Sequence, residues 1–279
     1  MPAQILIDDR LAGADARVRL LTISQPARKN AIDADALERL VLEIDRASRD
    51  GVRALVLAGE GGAFCAGSDL AALGAAIDVW HANHLNRNDS AEPAPAPELP
   101  DAPLGRACAA LEASPLPIVA AIDGPAFGAG AELACACDLR IASPSARFSF
   151  PPARLGIVYA PEGAARVERL VGLAQAKRLF FTAAVVDAPD ALRIGLCEEI
   201  ASAATALPRA LELAGQMALL SPQSLAGMKR TFALLSAGPL EPPARAELAE
   251  LRRVAFASGD AQEGRLAFLA RRPPRFTGH

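Results

Sequence analysis

A chain of 279 residues with 52% apolar side chains is long enough for one large domain with a sizeable core, or one domain with a small helical appendage. A formal charge of −3 excludes a basic footprint over the whole surface, so no nucleic-acid partner is expected and any phosphate contact falls to local basic residues. Five Cys without framework spacing fit reduced thiols, the first residues lack a basic segment followed by an apolar one, and no apolar run nears the roughly 20 residues that span a bilayer; a cytoplasmic protein without a membrane partner is expected.

In chain order, Gln4 to Asp8 and Ala16 to Ser24 read as strands joined by a turn at Gly13, and Asp33 caps an amphipathic helix that runs to Arg49. Apolar strand, turn and helix then recur: a strand over 52–58, a helix over 66–77, a strand over 117–122, a helix over 129–137 and a strand over 139–142. Strands alternating with helices predict an α/β core with mostly parallel strands. Residues 86–105 shift to Pro, Ala and acidic side chains and predict a mobile loop, either a lid or a solvated insertion. From Leu207 the pattern is helical over 207–220, 222–235, 243–257 and 261–270, so the chain divides into a core over 1–206 and a helical region over 207–279. Cys135 and Cys137 point to different faces of their helix, and His81 and His84 lack a third ligand, so no metal site is expected.

Two stretches bear the chemistry. Ala63-Phe64-Cys65-Ala66-Gly67-Ser68-Asp69-Leu70 and Gly124-Pro125-Ala126-Phe127-Gly128-Ala129-Gly130-Ala131-Glu132-Leu133 each put small residues where an apolar run ends and a helix is expected to start. Amides in a first helical turn have no internal partner and sit at the positive end of the macrodipole. Two that converge form an oxyanion hole, and Ala66 and Ala129 are the expected donors. The competing structural reading is close packing of strand against helix, which small residues also permit. A nucleotide-binding reading of Gly128-Ala129-Gly130 lacks the third Gly and the acidic strand end. Asp69 reads as a helix cap, and Arg28 and Lys29 as either a phosphate contact or a solvated turn.

These stretches, with Gln25 to Ile32, Ala120 to Asp138, Arg147 to Gly172 and the tail Gly259 to Thr277, resemble the enoyl-CoA hydratase/isomerase family, the crotonase superfamily. The resemblance implies a spiral of ββα units, an acyl-CoA thioester as substrate, no cofactor beyond the coenzyme A of the substrate, and a C-terminal helical region that supports a homotrimer or a dimer of trimers. It implies Ala66 and Ala129 as the two N–H donors, with Ala129 standing where the family usually has Gly. Substrate-binding positions carried over are Arg28, Lys29, Ala31, Phe64, Ala66, Gly67, Ser68, Asp69, Leu70, Phe127, Gly128 and Pro152.

Hydratases of this family use two glutamates. Glu132 matches the first, and the second falls on Pro152, which cannot transfer a proton. Tyr159, the one Tyr in the sequence, and Glu162 are the further catalytic candidates. Pro152 with Tyr159 is similar in register to members that decarboxylate methylmalonyl-CoA, although those have His where Ser68 stands. The expected function is therefore of the hydratase/isomerase type through a thioester enolate. The alternatives are decarboxylation of a malonyl-type thioester and a catalytically impaired, CoA-binding scaffold subunit.

Overall fold

The computed structural model describes residues 2–12, 16–85 and 98–279, with the backbone alone at residues 84 and 85. Strands β1 (Gln4–Ala12) and β2 (Ala16–Ser24) form an antiparallel pair, and α1 (Ala34–Arg49) follows, capped by Asp33, whose carboxylate accepts from Ala36 N at 2.9 Å. Next come β3 (Val52–Gly59), α2 (Leu70–Leu85), α3 (Ala102–Ala113), β4 (Ile118–Ile122), β5 (Pro125–Phe127), α4 (Ala129–Ala136), β6 (Leu139–Ala142) and β7 (Arg147–Ser149). The chain continues through α5 (Pro152–Leu155), α6 (Pro161–Thr182), β8 (Val186–Asp187), α7 (Ala188–Ile194), β9 (Glu199–Ile200), α8 (Leu207–Ala218), α9 (Pro222–Ser236), α10 (Pro242–Ala257) and α11 (Gly259–Leu269). One sheet has the order β1-β2-β3-β4-β6-β9, parallel from β2 onward, and a small second sheet has the order β5-β7-β8.

The inner strands are mostly apolar because both faces of the large sheet are covered there, whereas the edge strand β1 is mostly exposed and carries Gln4, Asp8, Asp9 and Arg10. Side chains alternate between faces with a period of two. Leu21, Ile23, Leu55, Leu57, Ile118 and Ile122 join α1 and α4 in the main core, while Val18, Leu20, Val56, Val119 and Ile141 meet α8 on the other side. Ala206, Ala210, Ala214 and Ala218 recur every fourth residue and bring α8 close to the sheet. The helix that opens the expected C-terminal region, starting at Leu207, thus belongs to the packed layers.

Beyond α8 the character changes. Neither α9 nor α10 has a buried residue, and Phe232, Phe256 and Phe268 are exposed. Polar side chains fasten this region to the core: Lys229 Nζ donates to Leu111 O at 3.0 Å, to Leu116 O at 3.1 Å and to the Asp138 carboxylate at 2.8 Å, and Arg53 Nη2 donates to Leu220 O at 3.2 Å and Phe276 O at 3.4 Å. No helix among the described residues is long and apolar enough to cross a membrane.

Two expectations change. Residues 66–69 are extended rather than helical, and α2 starts at Leu70, where the Asp69 carboxylate accepts from Ala71 N at 3.0 Å. Of the loop expected over 86–105, residues 86–97 lie outside the described residues, and Ala102 to Gly105 already belong to α3. The side chain of His84 also lies outside them.

Candidate active site

The first site element is the loop before α1. Lys29 and Asn30 both adopt left-handed backbone angles, with φ of 51° and 59°, and buried Asn30 holds them there. Its amide donates to Glu60 O at 2.8 Å and Ala63 O at 2.7 Å, and its carbonyl accepts from Gln25 N at 2.9 Å. The sequence reading gives Asn30 no role of its own within its loop, although Asn is among the residues enriched at positive φ.

That turn lies along residues 63–69, which β5 flanks on the other side. Cys65 N donates to Pro125 O and Phe127 N to Cys65 O, both at 3.0 Å, while Ala66 N donates to Lys29 O at 2.9 Å. The Ala66 amide is therefore already engaged, and the free N–H expected there is not found at Ala66. Ile32 N donates to Gly67 O and Asp69 N to Ile32 O, each at 2.8 Å, a parallel bridge centred on Ser68. In such a bridge the central residue turns its own N–H away from the partner strand, so Ser68 N–H points away from Ile32. It has no acceptor among the described residues.

The Ala129 amide stands on that far side. Gly67 has φ of 107°, and a Cβ there would lie 3.0 Å from Phe127 O and 3.9 Å from Ala129 N, so only glycine brings the two segments together at this point. Gly130 permits the second close approach, since a Cβ there would meet Cys65 O at 2.2 Å. Ala129 opens α4 with its N–H free among the described residues and its φ outside the positive region, which Gly128 occupies at 50°. The methyl group of Ala129 is compatible with this backbone. At the other end of α4, the buried Arg140 guanidinium donates to Cys137 O at 2.8 Å and Ala134 O at 3.4 Å and pairs with Glu198.

One turn into α4, Glu132 is 2% exposed. Burial lifts its carboxyl above the ordinary range, against the opposing pull of the Tyr159 hydroxyl and the Arg166 charge. Arg166 Nη1 donates to Glu132 Oε1 at 2.8 Å. Tyr159 stacks obliquely on Phe180 at 5.1 Å and donates its hydroxyl to Gly128 O at 3.2 Å, the carbonyl of the peptide whose N–H is that of Ala129. Gly163 makes room for both groups: a Cβ there would sit 2.6 Å from Glu132 Oε1 and 2.7 Å from the Tyr159 ring. Burial and the Glu132 charge push the phenol of Tyr159 well above its usual value, so it stays protonated.

The remaining expected residues divide. Pro152 is buried at the start of α5, and the neighbouring Pro151 ring lies 4.0 Å from where a Gly128 Cβ would be, so an apolar wall stands there. Glu162 is exposed in the first turn of α6, next to Gly163. Phe64 is wholly buried and belongs to the core, whereas Leu70 is exposed. Ala31, Ser68 and Phe127 are half-buried near the two segments; Arg28 and Lys29 are exposed, and Arg28 pairs with Asp69. All five cysteines are buried, and burial pushes the Cys65 thiol up to about 12, which leaves it inert.

The model of the enoyl-CoA hydratase/isomerase family matches residues 13–279. The chain belongs to this family. A "Probable enoyl-CoA hydratase" of Mycobacterium tuberculosis is 34% identical over 263 residues, 94% of this chain and 96% of that protein. The 2,3-dehydroadipyl-CoA hydratase of Escherichia coli is 32% identical over 98% of this chain and its own full length. Among solved structures, an enoyl-CoA hydratase from Bacillus anthracis superimposes with a TM-score of 0.83 at 25% identity, over 98% of this chain and 99% of that one. The crotonase-type α/β architecture expected from the sequence is the one found, and an enzyme of the hydratase/isomerase type is the one the family describes.

Proposed function

We propose that this family member binds an acyl-CoA thioester, polarises its carbonyl with Ser68 N–H and Ala129 N–H, and moves a proton between the α- and γ-carbons of an enoyl chain with Glu132 as its single acid/base. The supporting observation is the arrangement around Glu132: two unengaged amides lie on adjoining segments, one buried carboxylate stands a turn away, and proline occupies the position of the second glutamate. In this scheme the ionised Glu132 takes a proton from the carbon beside the thioester carbonyl, and the electron pair moves onto the oxygen held by the two amides. The protonated acid then returns the proton at the far end of the dienolate, so atoms and charge balance without a co-reactant. Two aligned donors at the oxygen are worth about 10²–10³ in rate each. No resident cofactor enters the scheme, and Arg28 and Lys29 supply charge for coenzyme A phosphates. The exposed apolar side chains of α9, α10 and α11 fit a homotrimer or a pair of trimers, which sedimentation would count.

Assays of 3-enoyl-CoA isomerisation, crotonyl-CoA hydration and methylmalonyl-CoA decarboxylation, run side by side, test the scheme. Isomerisation exceeding hydration is the expected result. Hydration as the leading activity would sink the one-carboxylate scheme, and decarboxylation would replace it with the malonyl-type reading. The Arg166 ion pair favours a second reading, an acyl-CoA binder without turnover, because a carboxylate engaged by a cation is a weaker base. Tight binding over a broad acyl-CoA panel with no product would select it.

A further inference from the structure

The Arg166 guanidinium bridges the buried carboxylate to the surface. It donates to Glu132 Oε1 at 2.8 Å and, through its other terminal nitrogen, to Glu112 Oε2 on α3 at 2.9 Å; Arg169 then donates to Glu112 Oε1 at 2.9 Å. Side-chain exposure rises along this row, at 3% for Glu132, 4% for Arg166, 36% for Glu112 and 42% for Arg169. Charges therefore alternate from the interior to solvent, and a cation reaches Glu132 without an uncompensated charge in the core. The Nε of Arg166 is buried with no acceptor among the described residues. The two carboxylates thus dictate how the guanidinium is turned, at the expense of its third donor.

We propose that Arg166 is a positioning residue that aims the Glu132 carboxylate and keeps it ionised for proton abstraction, with Glu112 setting how much of the Arg166 charge Glu132 experiences. This rests on the reading of Glu132 as the reacting group. The need is physical: burial among apolar side chains favours the neutral acid, and a neutral acid cannot start the reaction. Other ionisable groups facing Glu132 are Tyr159 ahead of α6, Cys108 and Asp101 from α3 and its N-terminus, and Cys135 on α4. Burial raises the phenol and both thiols, so they are neutral, and Asp101 acts as a distant like charge. Arg166 is the cation in contact.

Infrared titration of the resting protein reads the protonation of Glu132 directly, as the carboxylic C=O band that disappears from the E132Q spectrum. In R166Q its midpoint is expected to rise by about one to three pH units, and in R166K to stay much nearer that of the parent. E112Q keeps an oxygen for Arg166 and removes a negative charge, so there the midpoint is expected to fall. Opposite shifts in R166Q and E112Q separate an electrostatic role from loosened packing, which moves both the same way and would overturn the proposal, as would unmoved midpoints. Should R166Q fail to fold, E112Q decides alone: a lowered midpoint supports the role and an unchanged or raised one removes it. The readout needs no turnover, so an inactive protein would defeat the proton-shift scheme and leave this test standing. With a turned-over substrate, the acid limb of kcat/KM is expected to move with the infrared midpoint.

Discussion

Residues 63–70 and 124–132 look alike in the sequence and leave an amide bare by different means. The second does so as a helix start, where the first-turn amides have no partner by construction. The first is an extended segment with neighbours on both sides, where Lys29 O takes the Ala66 amide and the amide of Ser68 is turned outward. In a helix start a free N–H depends on position alone. In an extended segment it depends on which neighbour each residue faces, which composition does not reveal.

The sharpest way to break this pairing is to remove the carboxylate proposed to act beside both amides. Glu132→Gln is expected to lower turnover by about 10²–10⁴ while acyl-CoA affinity, read by calorimetry, stays near that of the parent. Replacing single backbone amides by esters comes next. An ester at Ser68 is expected to reduce kcat by about 10²–10³, whereas one at Ala66 costs about 1 kcal/mol of stability with kcat preserved. The reverse pattern would return the role to Ala66. Gly163→Ala drives a methyl into Glu132 and Tyr159, and a clear fall in kcat with little change in KM is expected, checked by steady-state kinetics and a crystal structure.

The smallest effect concerns pH. The Glu132 carboxyl titrates above its ordinary range in the folded chain, so the fold binds this proton more tightly than the unfolded chain does. Its contribution to stability is complete below the unfolded value and is lost as pH rises through the folded one. Turnover runs the other way, rising across the same interval as the base ionises. The Tm of the parent relative to E132Q should fall across this window; a gap that widens with pH in the parent's favour would reverse the sign.

The framework was readable because it follows period: apolar strands covered on both faces, a helix capped by Asp33, and an alanine every fourth residue in α8. Glu132 and Pro152 were legible by their match to the two glutamate positions of the family. The start of α2 was misjudged because a run of small residues ending in Asp69 suits an extended segment before a cap as well as a helix already begun. Arg166 went unnoticed, although it falls with Gly163 and Val167 at the spacing of one helical face. A lone cation on an otherwise apolar face asks for a buried anion, and its partners, Glu132 and Glu112, lie 34 and 54 residues away. Such pairings are set by tertiary packing, beyond the reach of local pattern.

The α4 helix has eight residues, a length of about 12 Å. Over so small a span the carbonyl end of a helix offsets much of what its amide end offers a neighbouring anion. Arg140 donates to one of those carbonyls, Ala134 O, and to the capping Cys137 O, and so takes up part of the far pole. The amide pole, carried by the peptide that opens α4, is then opposed by a weaker carbonyl pole than a bare helix of this length would have.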